Sequence, residues 1–182
     1  MAKQSKLHLK VKELSHKDSV EAVKELLKRR RTLEGKDLKP GHLIFTYYDA
    51  KYKENTYDKT PLVLILRRNS SHTLGLNFHW IPYSMRINLV KFIIEKNAAN
   101  IRQRKPLKFS YAQLKPMLKS LGYAPCIRLY INSRFAPTGV VLPSHQLMQV
   151  ARLKAETFTK GKYSASQLYA MARERGRAQG RK

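Results

Sequence analysis

Between residues 38 and 82, the apolar positions follow the patterns expected of β-strands. Residues 62–66 form a continuous apolar run directly after Pro61, which is typical of a buried strand. Residues 74–80 alternate apolar with polar or glycine positions, and residues 42–48 are rich in aromatic and β-branched types. Short turn-forming stretches and no helical pattern separate these segments. The pattern therefore predicts three antiparallel strands in a meander or small barrel.

Beyond Pro82 the spacing of apolar residues changes to that of helices. Met85, Leu89 and Ile93 lie on one face of a predicted helix. Two short strands are expected at residues 126–131 and 139–142. Further helices are expected to begin near residues of N-cap type, namely Asp18, Ser110, Ser144 and Ser164.

Together these patterns predict an α+β fold. We expect a small SH3-like antiparallel β-barrel over about residues 38–82, helices packed on it, and basic extensions at both ends. The chain divides into a basic N-terminal arm and helix (residues 1–37), a core domain (38–160) and a basic C-terminal helix and tail (161–182). The hydrophobic fraction of 42%, with ten Tyr and six Phe, is sufficient for a core.

Charge decides what kind of partner this fold needs. Thirty-seven Lys and Arg against twelve Asp and Glu give a net charge of +25 over 182 residues. Residues 99–182 contain only Glu156 and Glu174 as acids. Self-repulsion of this size is relieved by a polyanion or an acidic partner, so nucleic acid and the acidic subunits of a large assembly both remain open.

The cations are grouped in four clusters that are candidate contacts for such a partner. They are Lys28, Arg29, Arg30, Arg31, Arg67, Arg68, Arg102, Arg104, Lys105, Lys108, Arg173, Arg175, Arg177, Arg181 and Lys182. Tyrosines between residues 47 and 57 also interleave with lysines, a mixture found in single-strand binders. We interpret these tyrosines as part of the barrel wall.

Enzymatic chemistry has one candidate group, Asp58 with Asn77 and His79. A carboxylate and an imidazole could hold a metal for phosphodiester cleavage, but nuclease sites usually need a second carboxylate at a suitable spacing. We interpret Asp58 as a turn cap, and Asn77 and His79 as partners of backbone groups. The single cysteine, Cys126, reads as a buried core thiol rather than a nucleophile. No glycine-rich phosphate loop occurs, so we expect no cofactor, no metal and no enzymatic activity.

An ordered motif links the predicted strands. It runs from Phe45-x-Tyr47 through Tyr57-Asp58-Lys59-Thr60-Pro61-Leu62-Val63 and Gly75-Leu76-Asn77-Phe78-His79 to Arg86. The motif resembles a family of minor virion proteins of tailed bacteriophages, often labelled DNA end protector proteins. We interpret its residues as structural, namely Tyr57, Asp58, Pro61, Gly75, Asn77, His79 and Arg86.

The resemblance implies a component of a phage virion. Together with the charge, it predicts a non-enzymatic minor structural protein that binds packaged DNA or seals the neck or tail near it. Because the cations are scattered in clusters and no base-reading motif is present, we expect binding without sequence preference. Two alternatives stay open: a tail or baseplate assembly protein docked on acidic neighbouring subunits, and a nuclease acting on DNA ends. The expected partners are other virion proteins and DNA. No apolar run is long enough to cross a bilayer, so no membrane partner is expected. The expected location is the virion, assembled in the host bacterial cytoplasm.

Overall fold

The fold is described from a computed structural model. It describes residues 21–22, 25, 28–52, 57–108, 111–120, 122–153, 158 and 163–179. The beginning of the helix expected near Asp18, the first residues of the basic N-terminal arm and the last three residues of the tail lie outside this set. The proposed division into three segments therefore stays a prediction.

Six strands form one antiparallel sheet. They are β1 (Arg31–Thr32), β2 (Leu43–Tyr48), β3 (Leu62–Arg68), β4 (His72–Asn77), β5 (Ile127–Ile131) and β6 (Phe135–Leu142). Their order across the sheet is β1-β6-β2-β3-β4-β5. All three strands predicted before residue 82 are present, and the two predicted later are β5 and β6. The alternation over residues 74–80 was wrong at its end, because β4 stops at Asn77 and Phe78–Trp80 form a 3-10 turn.

The predicted SH3-like barrel is wrong, because the sheet stays open. Its two edges, β1 and β5, do not pair with each other among the strands that the structure describes. Residues 38–82 supply only three strands, β2 to β4. Strands β5 and β6 follow one another along the chain but are not neighbours in the sheet: β5 extends it beyond β4, and β6 extends it beyond β2. The free edges of the predicted meander are thus covered by strands from far downstream instead of by each other.

Helices cover one face of the sheet. The helices whose bounds lie within the described residues are α1 (Tyr83–Lys96), α2 (Ala98–Arg102), α3 (Tyr111–Ser120), α4 (Leu147–Ala151) and α5 (Ala165–Gln179). Helix α5 begins with the capping box expected from the sequence, because Ser164 and Gln167 exchange backbone-to-side-chain hydrogen bonds of 2.8 and 3.2 Å. None of the described helices is long and apolar enough to span a membrane.

Strand β3 shows why residues 62–66 are apolar at every position. Leu62, Leu64 and Leu66 pack with the helices, whereas Val63 and Ile65 face the opposite side of the sheet. On that side, Tyr48, Tyr130 and Phe135 pack ring against ring with centroids 4.9 to 5.3 Å apart. Within the described residues, the turn Gly35–Leu38 and the segments after β2 and before β3 add to this second layer, so the central strand is buried on both faces.

Candidate nucleic-acid interface

Asp58, Asn77 and His79 meet in a buried network at one end of β4. Asp58 Oδ2 lies 2.7 Å from Nδ1 of His79 and accepts a hydrogen bond of 3.2 Å from the Asn77 amide. The other carboxylate oxygen accepts from the backbone N–H of Thr60, and Asn77 caps the following turn by accepting from the N–H of His79. All three side chains are almost completely buried. The network therefore ties the loop before β3 to the end of β4.

The network leaves Asp58 almost no access to solvent. Asp58 is only 3% exposed and is occupied by three neighbours. Within the described part of the chain, no three His, Cys, Asp or Glu side chains come together as metal ligands. Cys126 is buried and its thiol contacts the Trp80 carbonyl at 3.4 Å. Burial raises the pKa of this thiol to about 12, so it is a poor nucleophile at neutral pH.

Of the remaining motif residues, Arg86 makes the longest-range contacts. Arg86 of α1 is 1% exposed, and its guanidinium donates to the carbonyls of Ile81 and Leu153. It thereby joins the start of α1 to the chain after α4. Pro61 directly precedes β3. Gly75 lies in β4 and pairs with residues of both neighbouring strands, β3 and β5. Tyr57 is half-buried against the second layer.

Three of the predicted basic clusters converge at the end of the sheet where β2 begins. Arg31 binds Asp37 at 2.7 Å, and Arg68 donates to the carbonyl of Gly35 at 3.3 Å, so both reach the turn at Gly35–Leu38. A small cleft of about 210 Å³ at the same end is lined by Arg31, His42, Arg104 and Lys105 among others. We call the surface formed by Arg31, His42, Arg68, Arg104 and Lys105 the basic face.

The segment that carries Arg104 and Lys105 is held at several points. The Lys105 carbonyl accepts from Ser144 at 2.7 Å, and the Lys108 N–H donates to the buried Asn97 at 2.7 Å. Between them, Leu107 is buried and approaches Gly41 so closely that a Cβ there would lie 1.8 Å from the Leu107 carbonyl oxygen. Gly41 also has a φ of +87°. The cations of this segment therefore project from a fixed backbone.

Arg104 has an unusual backbone conformation. Its φ is +55°, the only positive value among the non-glycine residues that the structure describes. It follows helix α2 in a Schellman turn, with Arg104 N–H bonded to Ile101 and Lys105 N–H bonded to Asn100. Glycine is the usual residue here, because a side chain in this region costs about 1–2 kcal/mol. The Arg104 side chain is exposed, and no acidic group lies within ion-pair distance among the described residues.

The other predicted contact residues are distributed as follows. Exposed positions within the described chain are Lys28, Arg29, Arg30, Arg67, Arg102, Lys108 and Arg173. Arg175 and Arg177 belong to α5, whereas Arg181 and Lys182 lie outside the described residues. The described part of the fourth cluster is therefore carried by α5, and its described side chain, Arg173, is not among the residues that line the small cleft.

A second and larger cleft, of about 780 Å³, runs along the edge strand β5. Its walls are β5, the segment after β2 and helix α5, and we call it the aromatic cleft. Tyr52 is 57% exposed and Leu129 is 64% exposed at its mouth, while Arg128 lies 3.5 Å above the ring centroid of Trp80. Lys51 approaches the Tyr52 ring to 5.3 Å.

The sequence indicated only part of this cleft. The prediction that the four tyrosines lie in the wall of a barrel is wrong, because the sheet is open. Tyr48 is buried and Tyr57 is half-buried, whereas Tyr47 and Tyr52 are exposed. Arg128 was missed because no other cation stands beside it in sequence. Its position in a short strand following an aromatic-rich region was the available signal, but the contact with Trp80 spans 48 positions along the chain.

Comparison with known proteins identifies the family. No curated protein and no solved structure matches the chain significantly. A family model described as phage T4 terminal DNA protecting protein matches residues 4–172, which is most of the chain. The resemblance carried by the strand motif is thereby confirmed, and this chain belongs to the family of phage terminal DNA protecting proteins.

Proposed function

We propose that this protein is a non-enzymatic structural component of the phage virion that binds the ends of the packaged DNA through its basic face. Membership in a family named for protecting terminal DNA supports a DNA partner. The observation that carries the proposal is the convergence of three basic clusters, distant in sequence, at one end of the sheet. A surface of this kind attracts the phosphate backbone and releases condensed counterions on binding.

The backbone strain at Arg104 supports the same assignment. A glycine would complete the Schellman turn without the steric penalty, so folding alone does not favour an arginine there. Strained residues that the surrounding structure holds in place tend to mark functional sites. Here the retained feature is a cation that has no acidic partner in the described chain and that lines the basic face beside Lys105.

The basic face suits recognition without sequence preference. Its cations come from turns and strand ends rather than from one helix that could enter the major groove. Contacts of this type position a protein on phosphates and carry no base information. The proposed partners are therefore DNA of any sequence and, within the virion, the neighbouring structural proteins.

A salt titration with two variants tests the proposal. Binding to a linear DNA duplex should weaken steeply with salt, and Arg104→Gly should lower the slope of log affinity against log salt by about 0.9 because one phosphate contact is lost. Arg134→Ala is the matched control. It removes one charge from an exposed arginine at the opposite end of β2, beside Asp49, and should leave the slope unchanged.

Either of two results would contradict DNA binding through this face. Binding that is absent at low salt, or that does not depend on salt, would favour acidic virion subunits as the partner that neutralises the charge. Equal effects of both variants would mean that net charge, and not the basic face, determines the affinity. Metal-dependent cleavage of the duplex that is lost in Asp58→Asn would instead support the nuclease alternative.

A further inference from the structure

We propose that the aromatic cleft binds an unpaired nucleotide at the end of a DNA strand. This inference rests on the DNA binding proposed above and adds a second contact, which would allow the protein to distinguish a DNA end from the interior of a duplex. The two surfaces lie on different parts of the sheet, since the basic face surrounds the start of β2 and the cleft follows β5.

The dimensions of the cleft suit a small occupant. Its volume of about 780 Å³ falls within the range of about 300–1,000 Å³ that is typical of small-molecule sites. A double helix is far too wide to enter such a space, whereas an unpaired base with its sugar fits. DNA can therefore enter the cleft only as a nucleotide that is released from base pairing.

The lining provides surfaces on which a base can stack. Tyr52 presents an exposed ring at the mouth of the cleft, and the half-buried Tyr57 lies in the wall. Deeper inside, the guanidinium of Arg128 covers Trp80, which places a planar cation in the cleft wall with an aromatic ring behind it. Bases stack both on aromatic rings and on arginine planes, regardless of their identity.

The charges of the cleft agree with a nucleotide occupant. Lys51 and Arg128 line it, and Arg173 directly follows the lining residue Ala172 on α5. Among the described lining residues the acidic one is Asp58, which is nearly inaccessible and bound within its own network. Phosphate can therefore approach the mouth near Lys51 without facing an exposed carboxylate from Asp58.

Access to the cleft depends on the state of the DNA. A base inside a duplex must leave its stack and its partner before it can enter a protein site, and this costs free energy. An unpaired terminal nucleotide has no pairing partner to leave, so most of this free energy is not required. Binding in the cleft therefore adds affinity at an end that carries an overhang and adds little in the interior.

The test uses the full-length protein and three DNA duplexes of equal length. The first has short single-stranded overhangs, and the second has blunt ends. The third is closed at both ends by hairpin loops, and the bases of each loop are covalently crosslinked to one another. A 2-aminopurine base is placed either in the overhang or at a paired internal position. We expect about tenfold tighter binding of the overhang duplex than of the closed duplex. We also expect quenching of 2-aminopurine fluorescence only when the probe is in the overhang.

Tyr52→Ala should abolish both the preference and the quenching while leaving the affinity for the closed duplex unchanged, and Tyr52→Phe should retain both because the ring remains. Tyr47→Ala is the matched control, since Tyr47 is 41% exposed and does not line the cleft.

If the unmodified protein shows neither a preference for the overhang duplex nor quenching of 2-aminopurine, the inference is overturned, and a peptide strand paired with the edge strand β5 is favoured as the occupant. Failure to bind any of the duplexes instead overturns the proposed function itself.

Discussion

Two helices of this protein end in the same hydrogen-bonded turn but on different residues. Helix α2 is followed by Arg104 with a φ of +55°, and helix α3 is followed by Gly122 with a φ of +79°. Each turn has the two hydrogen bonds of a Schellman motif, which for α3 join Gly122 to Lys119 and Tyr123 to Leu118. The backbone requirement is therefore shared, and only the residue that meets it differs.

The surroundings explain why one of these positions is glycine. A Cβ at Gly122 would lie 2.8 Å from the hydroxyl of Tyr169, and that hydroxyl donates to the Gly122 carbonyl at 2.7 Å. Packing of α5 against this turn thus leaves no room for a side chain. Arg104 is exposed, so a side chain is possible there at the cost of backbone strain. Packing therefore selects glycine in the turn after α3, and charge accounts for arginine in the turn after α2.

The largest effect is expected from placing a side chain in the packed turn. Gly122→Ala should lower the free energy of unfolding by about 2 kcal/mol, from left-handed backbone strain together with displacement of Tyr169. Urea denaturation measures the change. Gly35→Ala is the control, because a Cβ there meets its nearest atom only at 3.9 Å. Equal losses in the two variants would mean that the turn geometry after α3 is not limiting.

The exposed turn should respond in the opposite direction. Arg104→Gly should raise the free energy of unfolding by about 1 kcal/mol, because glycine adopts this conformation without strain. Arg104→Ala removes the same charge and keeps the strain, so it should weaken DNA binding equally without the gain in stability. A destabilised Arg104→Gly variant would show that the arginine side chain stabilises the fold, and the contrast between the two turns would fail.

A smaller effect should follow from removing the hydroxyl that encloses Gly122. Tyr169→Phe leaves the Gly122 carbonyl without its donor and should cost about 1 kcal/mol. The same change makes room for a Cβ, so Gly122→Ala should cost less in the Tyr169→Phe background than alone. A double-mutant cycle by urea denaturation measures this coupling. Strictly additive changes would show that Tyr169 does not restrict the residue at position 122.

The smallest effect concerns acid stability beside the arginine turn. Burial favours a higher pKa for Asp37, but the Glu34 N–H and the Arg31 guanidinium together hold this pKa below its ordinary value of 3.8. The carboxylate therefore stabilises the fold at pH values above 3.8, and this contribution is lost as the pH falls through the lowered pKa. The stability difference between the unmodified protein and Asp37→Asn should shrink below about pH 4. A difference that stays constant over this range would contradict the role of Asp37 as an anchor of the basic face.

Local features were predictable where short-range interactions determine them. The strands at 62–68 and 72–77 follow from apolar runs and alternation, and the capping box at Ser164 follows from two residues three positions apart. The barrel was predicted wrongly because a period of two describes the faces of a strand and says nothing about its neighbours. Strands β5 and β6 are separated from β2 to β4 by about fifty residues or more along the chain. No local sequence pattern predicts that β5 pairs with β4 or that β6 pairs with β2.

The candidate site divides in the same way. The sequence by itself determined the charge of +25, the grouping of cations and the motif that identifies the family. Only the tertiary structure decided which clusters meet, that Arg104 takes a left-handed conformation, and that Arg128 lies on Trp80. Composition and spacing are properties of neighbours along the chain, whereas these contacts depend on the pairing and packing of segments far apart. That arrangement is selected by burial of the whole core, so no single segment encodes it.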